Sequence, residues 1–186
     1  MTTIKFGAIA LAAALVFAAS AVTTAQTQYD EREGSSQQVS KKVRRALVTL
    51  PYYGVFDNLE YKLEGSTVTL YGQVVRPTTR KDADRRVSRI EGVQQVVNNI
   101  EVLPLSPFDD SIRVRTFRKV FRTGALYRYS LGTNPSIHII VNHGHVTLEG
   151  VVANRMDRQL AYVAANGVFG VFSVTNNLQV DRQEAR

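Results

Sequence analysis

Between residues 39 and 50 the apolar positions Val39, Val43, Ala46, Leu47 and Leu50 recur at helical spacing, while Lys41, Lys42, Arg44 and Arg45 take the opposite side. That periodicity predicts an amphipathic helix, and Pro51 stops it because a proline disfavours helical backbone in the residue before it. Leu59-Glu60-Tyr61-Lys62-Leu63 and Val68-Thr69-Leu70-Tyr71-Gly72-Gln73-Val74 then alternate apolar and polar around Glu64-Gly65-Ser66. Alternation with a period of two predicts a β-hairpin with one buried face. A second helix follows, capped by Thr78 or Thr79, with Ala83, Val87 and Ile90 as its apolar stripe and Gly92 as its end. Val96, Asn98, Ile100 and Val102 point inward along a third strand.

The same pattern returns 78 residues later. Val146-Thr147-Leu148-Glu149-Gly150-Val151-Val152 matches the second strand, and Gly170-Val171-Phe172-Ser173-Val174-Thr175-Asn176-Asn177-Leu178-Gln179-Val180 matches Gly92 to Val102 without a gap. A fixed period of this kind marks a duplicated domain. The second copy places its first helix near 110–126, its hairpin at Ile137 to Val141 with Val146 to Val152, its second helix at about 155–166 and its last strand at Val174 to Val180. The predicted fold class is α+β: two tandem αββαβ two-layer sandwiches, each with helices covering one face of a three-stranded sheet. They span 39–104 and 110–181, joined by a linker at 105–109 in a proline-bearing stretch, Leu103 to Pro107, that favours a stiff connection.

Lys5, the apolar run Phe6 to Phe17 and the small residues Ala18 to Ala25 form the three parts of a secretory signal peptide over 1–25. Cleavage after Ala25 competes with a site at Ala19-Ser20-Ala21, and the apolar run is short for a helix that must cross roughly 30 Å of hydrocarbon. Residues 26–38, rich in Gln, Ser and charge, read as a flexible leader. The chain has no cysteine, which excludes N-terminal lipidation, disulfides and thiolate metal sites and suits a periplasm. Removing Lys5 leaves 22 Lys and Arg against 16 Asp and Glu, a charge of +6. Export makes anionic lipid or an acidic partner, and not nucleic acid, the expected counter-charge.

The glycine in the second strand of each copy, Gly72 and Gly150, and the run Gly-Val-x-x-Val-x-Asn-x-Ile/Leu-x-Val at Gly92 to Val102 and Gly170 to Val180 resemble the BON family. The resemblance covers nearly all of the chain after its leader. It implies interaction with phospholipid membranes and support of envelope integrity under stress, and in some members a chaperone role toward outer-membrane proteins. BON units also occur in secretin-associated and channel proteins. An exported, periplasmic, non-enzymatic protein is expected, its partner an anionic phospholipid surface or, in the rival reading, unfolded outer-membrane proteins.

The strongest local candidate for lipid contact is Ile112 to Arg122. Arg113, Arg115, Arg118, Lys119 and Arg122 surround an apolar stripe of Phe117, Val120 and Phe121, and Tyr127 and Tyr129 follow at the distance of a headgroup belt. A helix lying on an anionic bilayer uses such residues, its cations near phosphate and its aromatics at the acyl boundary. The same spacing is also that of a core stripe, because Phe117 and Phe121 sit 78 residues after Val39 and Val43. Arg76, Arg80, Lys81, Arg85, Arg86 and Arg89 form a second cationic cluster, read as a solvated face with Asp82 and Arg86 as an i,i+4 pair. The second helix of copy two is apolar around more of its circumference at Met156, Leu160, Tyr162, Val163, Ala164 and Ala165, which predicts packing against copy one or another protein. His138, His143 and His145 lack neighbouring carboxylates apart from Glu149 and read as a hairpin, so no metal and no cofactor are expected. No nucleophile with an adjacent base, phosphate loop or dinucleotide motif occurs, and Asn98 and Asn176 read as backbone-satisfying residues.

Overall fold

The computed structural model describes residues 35–132 and 134–181. The expected signal peptide and residues 26–34 of the expected leader lie outside the described residues. Residues 35–38, read above as leader, already belong to a helix, α1, over 35–48. Val43, Leu47 and Leu50 are buried along its apolar stripe, as the periodicity predicts.

In the first repeat β1 (Asn58–Glu64) pairs antiparallel with β2 (Thr67–Val74), and β3 (Gln95–Asn98) and β4 (Glu101–Val102) both run parallel to β2 on its other side. The helix α2 (Pro77–Val87) connects hairpin and third strand. The second repeat adds α3 (Pro107–Phe121), a 3-10 helix (Gly124–Ser130), the hairpin β5 (Ile137–Asn142) and β6 (His145–Val152), α4 (Arg155–Asn166), and β7 (Ser173–Asn176) with β8 (Gln179–Val180). The αββαβ order holds in both copies, with β2 and β6 as central strands.

Several boundaries differ from those predicted. Neither Thr78 nor Thr79 caps α2: Pro77 occupies the first turn after Arg76, and Thr79 is buried instead. The helix also stops at Val87, short of Gly92. In α3 the start moves back to Pro107, because Ser106 Oγ accepts a hydrogen bond from the Asp109 N–H and a proline fits the first helical position. Residues 107–109, read as linker, are therefore helical, and the chain from Gly124 continues as 3-10 helix instead of α-helix.

The matched residues of the repeat perform matched tasks. Gly72 (φ +108°) and Gly150 (φ +115°) are approached by the carbonyls of Asn58 and Ser136, which would lie 2.1 and 2.0 Å from an added Cβ. Only a residue without a side chain admits that contact. Asn98 Nδ2 donates to Arg80 O (3.1 Å) while its Oδ1 accepts from the Ile100 N–H (3.2 Å). Asn176 does the same with Arg158 O (3.0 Å) and Leu178 N–H (3.3 Å). Each asparagine thus satisfies backbone groups where the third strand breaks in two, and ties the break to the helix in front of it.

Two hydrophobic clusters result. Val43, Leu47, Val68, Leu70, Val74, Ala83, Val87 and Ile100 fill the first repeat. Ile112, Val120, Phe121, Leu126, Ile137, Ile139, Leu148 and Leu178 belong to the second, and Val55 and Phe56 of the first repeat pack against it. The described residues from Val39 to Asp181 belong to one compact unit.

The joint between repeats is an edge-strand contact. Val55 O accepts a hydrogen bond from the Ile139 N–H on the outer edge of β5 (2.7 Å), and Asn134 Nδ2 donates to Val48 O (2.8 Å). Gly54 O lies 3.3 Å from His138 Nδ1, which must carry the proton because a carbonyl only accepts. Asp57 holds this segment by accepting from the Gly54 and Val75 N–H groups (3.0 and 2.8 Å). Burial differs accordingly: Glu60 and Lys62 of β1 face solvent, whereas their counterparts His138 and Ile140 in β5 are buried. Covering the edge protects backbone groups that would otherwise recruit another strand. The predicted inter-repeat role of α4 is not observed; Met156 and Val163 stay 67% and 58% exposed.

Candidate functional site

Pro107 and the Ser106 cap start α3, and its 15 residues put one stripe against the sheet. Ile112, Thr116, Val120 and Phe121 are buried on that stripe. Phe121 meets Phe117 edge to face at 4.9 Å between ring centroids, and Phe117 meets Phe56 of the first repeat at 6.2 Å. Phe121 is therefore a core residue and Phe117 a half-buried one at the joint, which corrects the reading of both as lipid-facing. Arg113 is corrected too. It is 2% exposed, forms an ion pair with Asp110, and donates from Nη2 to Val141 O (2.8 Å) at the edge of β5. A guanidinium so enclosed cannot meet a headgroup.

The other cations remain outside. Arg118, Lys119 and Arg122 are exposed and Arg115 is half-exposed. With Thr123 the four line a shallow depression of about 360 Å³. Among the described residues none of the four forms an ion pair with a carboxylate. Four like charges held together repel one another, and a bound anion would relieve that repulsion. Tyr127 is 59% exposed on the 3-10 helix, whereas Tyr129 is buried, its hydroxyl bonded to Asp157 and the Ala153 N–H. Asp157 also pairs with Arg128, so this cluster is internally satisfied.

Arg115 leads to a second feature that the periodicity does not reveal. Its guanidinium lies over the ring of Phe169 at 5.8 Å. Phe169 is 85% exposed, Phe172 70% and Phe108 47%, and the Phe108 and Phe172 ring centroids are 6.2 Å apart. Phe108 is the second residue of α3, while Phe169 and Phe172 lie in the turn from α4 to β7. The signal for Phe169 and Phe172 is the repeat itself, read for differences: 78 residues earlier stand Glu91 and Gln94, both exposed.

The remaining candidates disperse. Asp82 pairs with Arg85 (3.5 Å), not with Arg86, which donates to Thr49 O (3.0 Å). His138 lies in the joint with its ring 5.5 Å from Tyr53, and burial lowers its pKa below the usual 6.5. His145 Nδ1 is 2.7 Å from Ser173 Oγ. Among the described residues no group of three or more His, Asp or Glu side chains converges to hold a metal ion. Likewise no described helix is long and apolar enough to cross a membrane.

The BON domain profile matches residues 35–104 and 127–182. α3 falls between the two matched segments, so its basic face is a property of this chain and not of the profile. Among solved structures, the chain is similar to CdsD, a structural protein of the type III secretion system of Chlamydia trachomatis, at 9% identity and a TM-score of 0.31, covering 80% of this chain and 95% of that one. The C-terminal domain of the same protein gives 9% identity and a TM-score of 0.27, covering 76% and 96%. No curated protein matches the chain. The BON family is known for phospholipid binding in stress-related envelope proteins and is generally non-enzymatic. With the profile matched over the first αββαβ unit and again over the ββαβ part of the second, and with strand glycines and strand-breaking asparagines common to both, this chain belongs to the BON family as a tandem member.

Proposed function

We propose that this protein is exported to the periplasm and associates there, without catalysis, with the anionic phospholipid of the envelope, supporting envelope integrity under stress. The observation that carries the reading is the cluster at the end of α3, with Arg118, Lys119 and Arg122 exposed and Arg115 half-exposed, none of them paired with a carboxylate among the described residues. Four cations at about 1 kcal/mol each near an anionic surface supply about 4 kcal/mol, enough for reversible binding and too little for permanent anchoring. Vesicle flotation tests it. Binding to phosphatidylglycerol vesicles, absent with phosphatidylcholine and weakening as salt rises, is the expected result. Indifference to lipid charge would overturn the reading.

The exposed Met156 and Val163 on α4 favour a second reading, a holdase for unfolded outer-membrane proteins. It expects slower aggregation of such a client at near-equal molar amounts, lost on changing both residues to Ser. Undiminished aggregation at every ratio removes it.

A further inference from the structure

Phe169 and Phe172 give most of their surface to water and not to the core. At the matching positions the first repeat carries Glu91 and Gln94 and makes the same turn into its third strand, so the architecture does not call for aromatics there. A phenylalanine left 85% in water forfeits much of its favourable burial, and isolated cases need no explanation. Here the Phe108 and Phe172 rings lie side by side, with Phe169 in the same turn as Phe172, and the positions of Phe108 and Phe172 are fixed. The Phe172 N–H donates to Gly144 O (2.9 Å), and Asp109 accepts from the N–H groups of His143 and Gly144 (2.9 and 2.8 Å), holding the start of α3 to the same hairpin turn. Phe108 precedes Asp109, so this clamp sets it beside Phe172.

The patch borders the basic depression, with Arg115 common to both: it lines the depression and reaches over Phe169. An apolar cluster rimmed on one side by uncompensated cations matches the layering of an anionic bilayer, negative headgroups outside and acyl chains beneath. An acidic protein partner would satisfy the cations alone. We infer that Phe108, Phe169 and Phe172 form a hydrophobic wedge that enters the acyl boundary of an anionic membrane while Arg115, Arg118, Lys119 and Arg122 hold its headgroups. This inference rests on the lipid-binding reading above and adds to it the residues that insert and the orientation of the second repeat on the surface.

The chain has no tryptophan, so Phe169→Trp introduces a single reporter at a highly exposed position. The full-length variant is mixed with equimolar phosphatidylglycerol and phosphatidylcholine vesicles, with and without brominated acyl chains. A blue shift and quenching by about half or more are expected, with neither effect from inorganic phosphate at matched ionic strength and neither in a Tyr71→Trp control on β2. A second variant, Phe169→Ser with Phe172→Ser, is expected to bind these vesicles more weakly by a factor on the order of 100, since each ring contributes about tenfold. Its urea midpoint should stay at the wild-type value because both side chains are exposed. If wild-type protein binds anionic vesicles but the indole introduced by Phe169→Trp stays unquenched, or phosphate alone shifts its emission, the wedge is wrong and surface binding stands. Should wild-type protein not bind vesicles at all, both ideas fall together.

Discussion

The carboxylate of Asp109 accepts the backbone N–H of Gly144 at 2.8 Å through one oxygen and that of His143 at 2.9 Å through the other. Asp109 is 1% exposed, so the side chain fastens the first turn of α3 to the β5–β6 turn inside the protein. Asp109→Ala leaves two amides without partners and is expected to cost about 2 kcal/mol, more than Asp109→Asn, which keeps one acceptor. Urea unfolding of the three proteins measures the difference, and equal midpoints would show the clamp to be idle.

Core and surface roles of α3 separate by substitution. Phe121→Ala opens a cavity in the second core and is expected to cost about 3 to 5 kcal/mol. Phe117→Ala, at the half-buried joint, costs less. Arg118→Glu with Arg122→Glu alters exposed residues only, so stability stays within about 0.5 kcal/mol while anionic-vesicle binding is lost. Chemical denaturation alongside flotation checks both halves, with Arg155→Glu on α4 as a charge control that leaves binding unchanged. A double variant that unfolds would place those arginines in the structure and not on the lipid.

The strand glycines admit a symmetrical test. Gly72→Ala and Gly150→Ala each drive a methyl against a carbonyl oxygen at a backbone conformation L-residues rarely adopt. A loss of more than about 2 kcal/mol is expected in either repeat. Thermal melts report it, and tolerance at one site alone would mean that the two sheets are built differently there.

The joint responds to pH through His138. Burial disfavours its imidazolium and lowers its pKa from 6.5, so as pH falls the unfolded chain takes up the proton first. The joint's stability contribution is therefore complete above 6.5 and declines as pH drops through 6.5 toward the folded pKa. Asp57 acts in the opposite sense: burial raises its pKa from 3.8, so its contribution is present below 3.8 and is lost as pH rises through the folded value. Burial, with the Asp57 charge, also pushes Tyr53 up to about 12, outside this range. Comparing urea midpoints at about pH 7.5 and about pH 5.5, on either side of the ordinary histidine value, isolates the histidine. Wild-type protein should lose more than His138→Gln. An equal loss in both would assign the effect to other groups.

Much of the fold was legible because it rests on local rules. Periodicity placed α4 at residues 155–166 and both hairpins, and the 78-residue offset led to the strand glycines and to Asn98 and Asn176 as backbone partners. Boundaries failed where a local competitor won: Ser106 capped α3 ahead of Asp110, and Pro77 displaced Thr78 and Thr79 at α2. The lipid candidates were legible only in part. Helical spacing lists which residues share a stripe but not which stripe turns inward, so Arg113, Phe117 and Phe121 could be assigned only once the sheet lay against α3.

From its letters alone this chain determined a duplicated αββαβ scaffold, because glycines and apolar periods report backbone demands each segment must meet by itself. Tertiary structure decided the surface. It brought Phe108 to Phe172 across more than sixty residues of chain, set Phe169 under Arg115 beside the α3 cations, and buried β5 under Val55. Those contacts depend on how separate segments meet, which no pattern within one segment encodes.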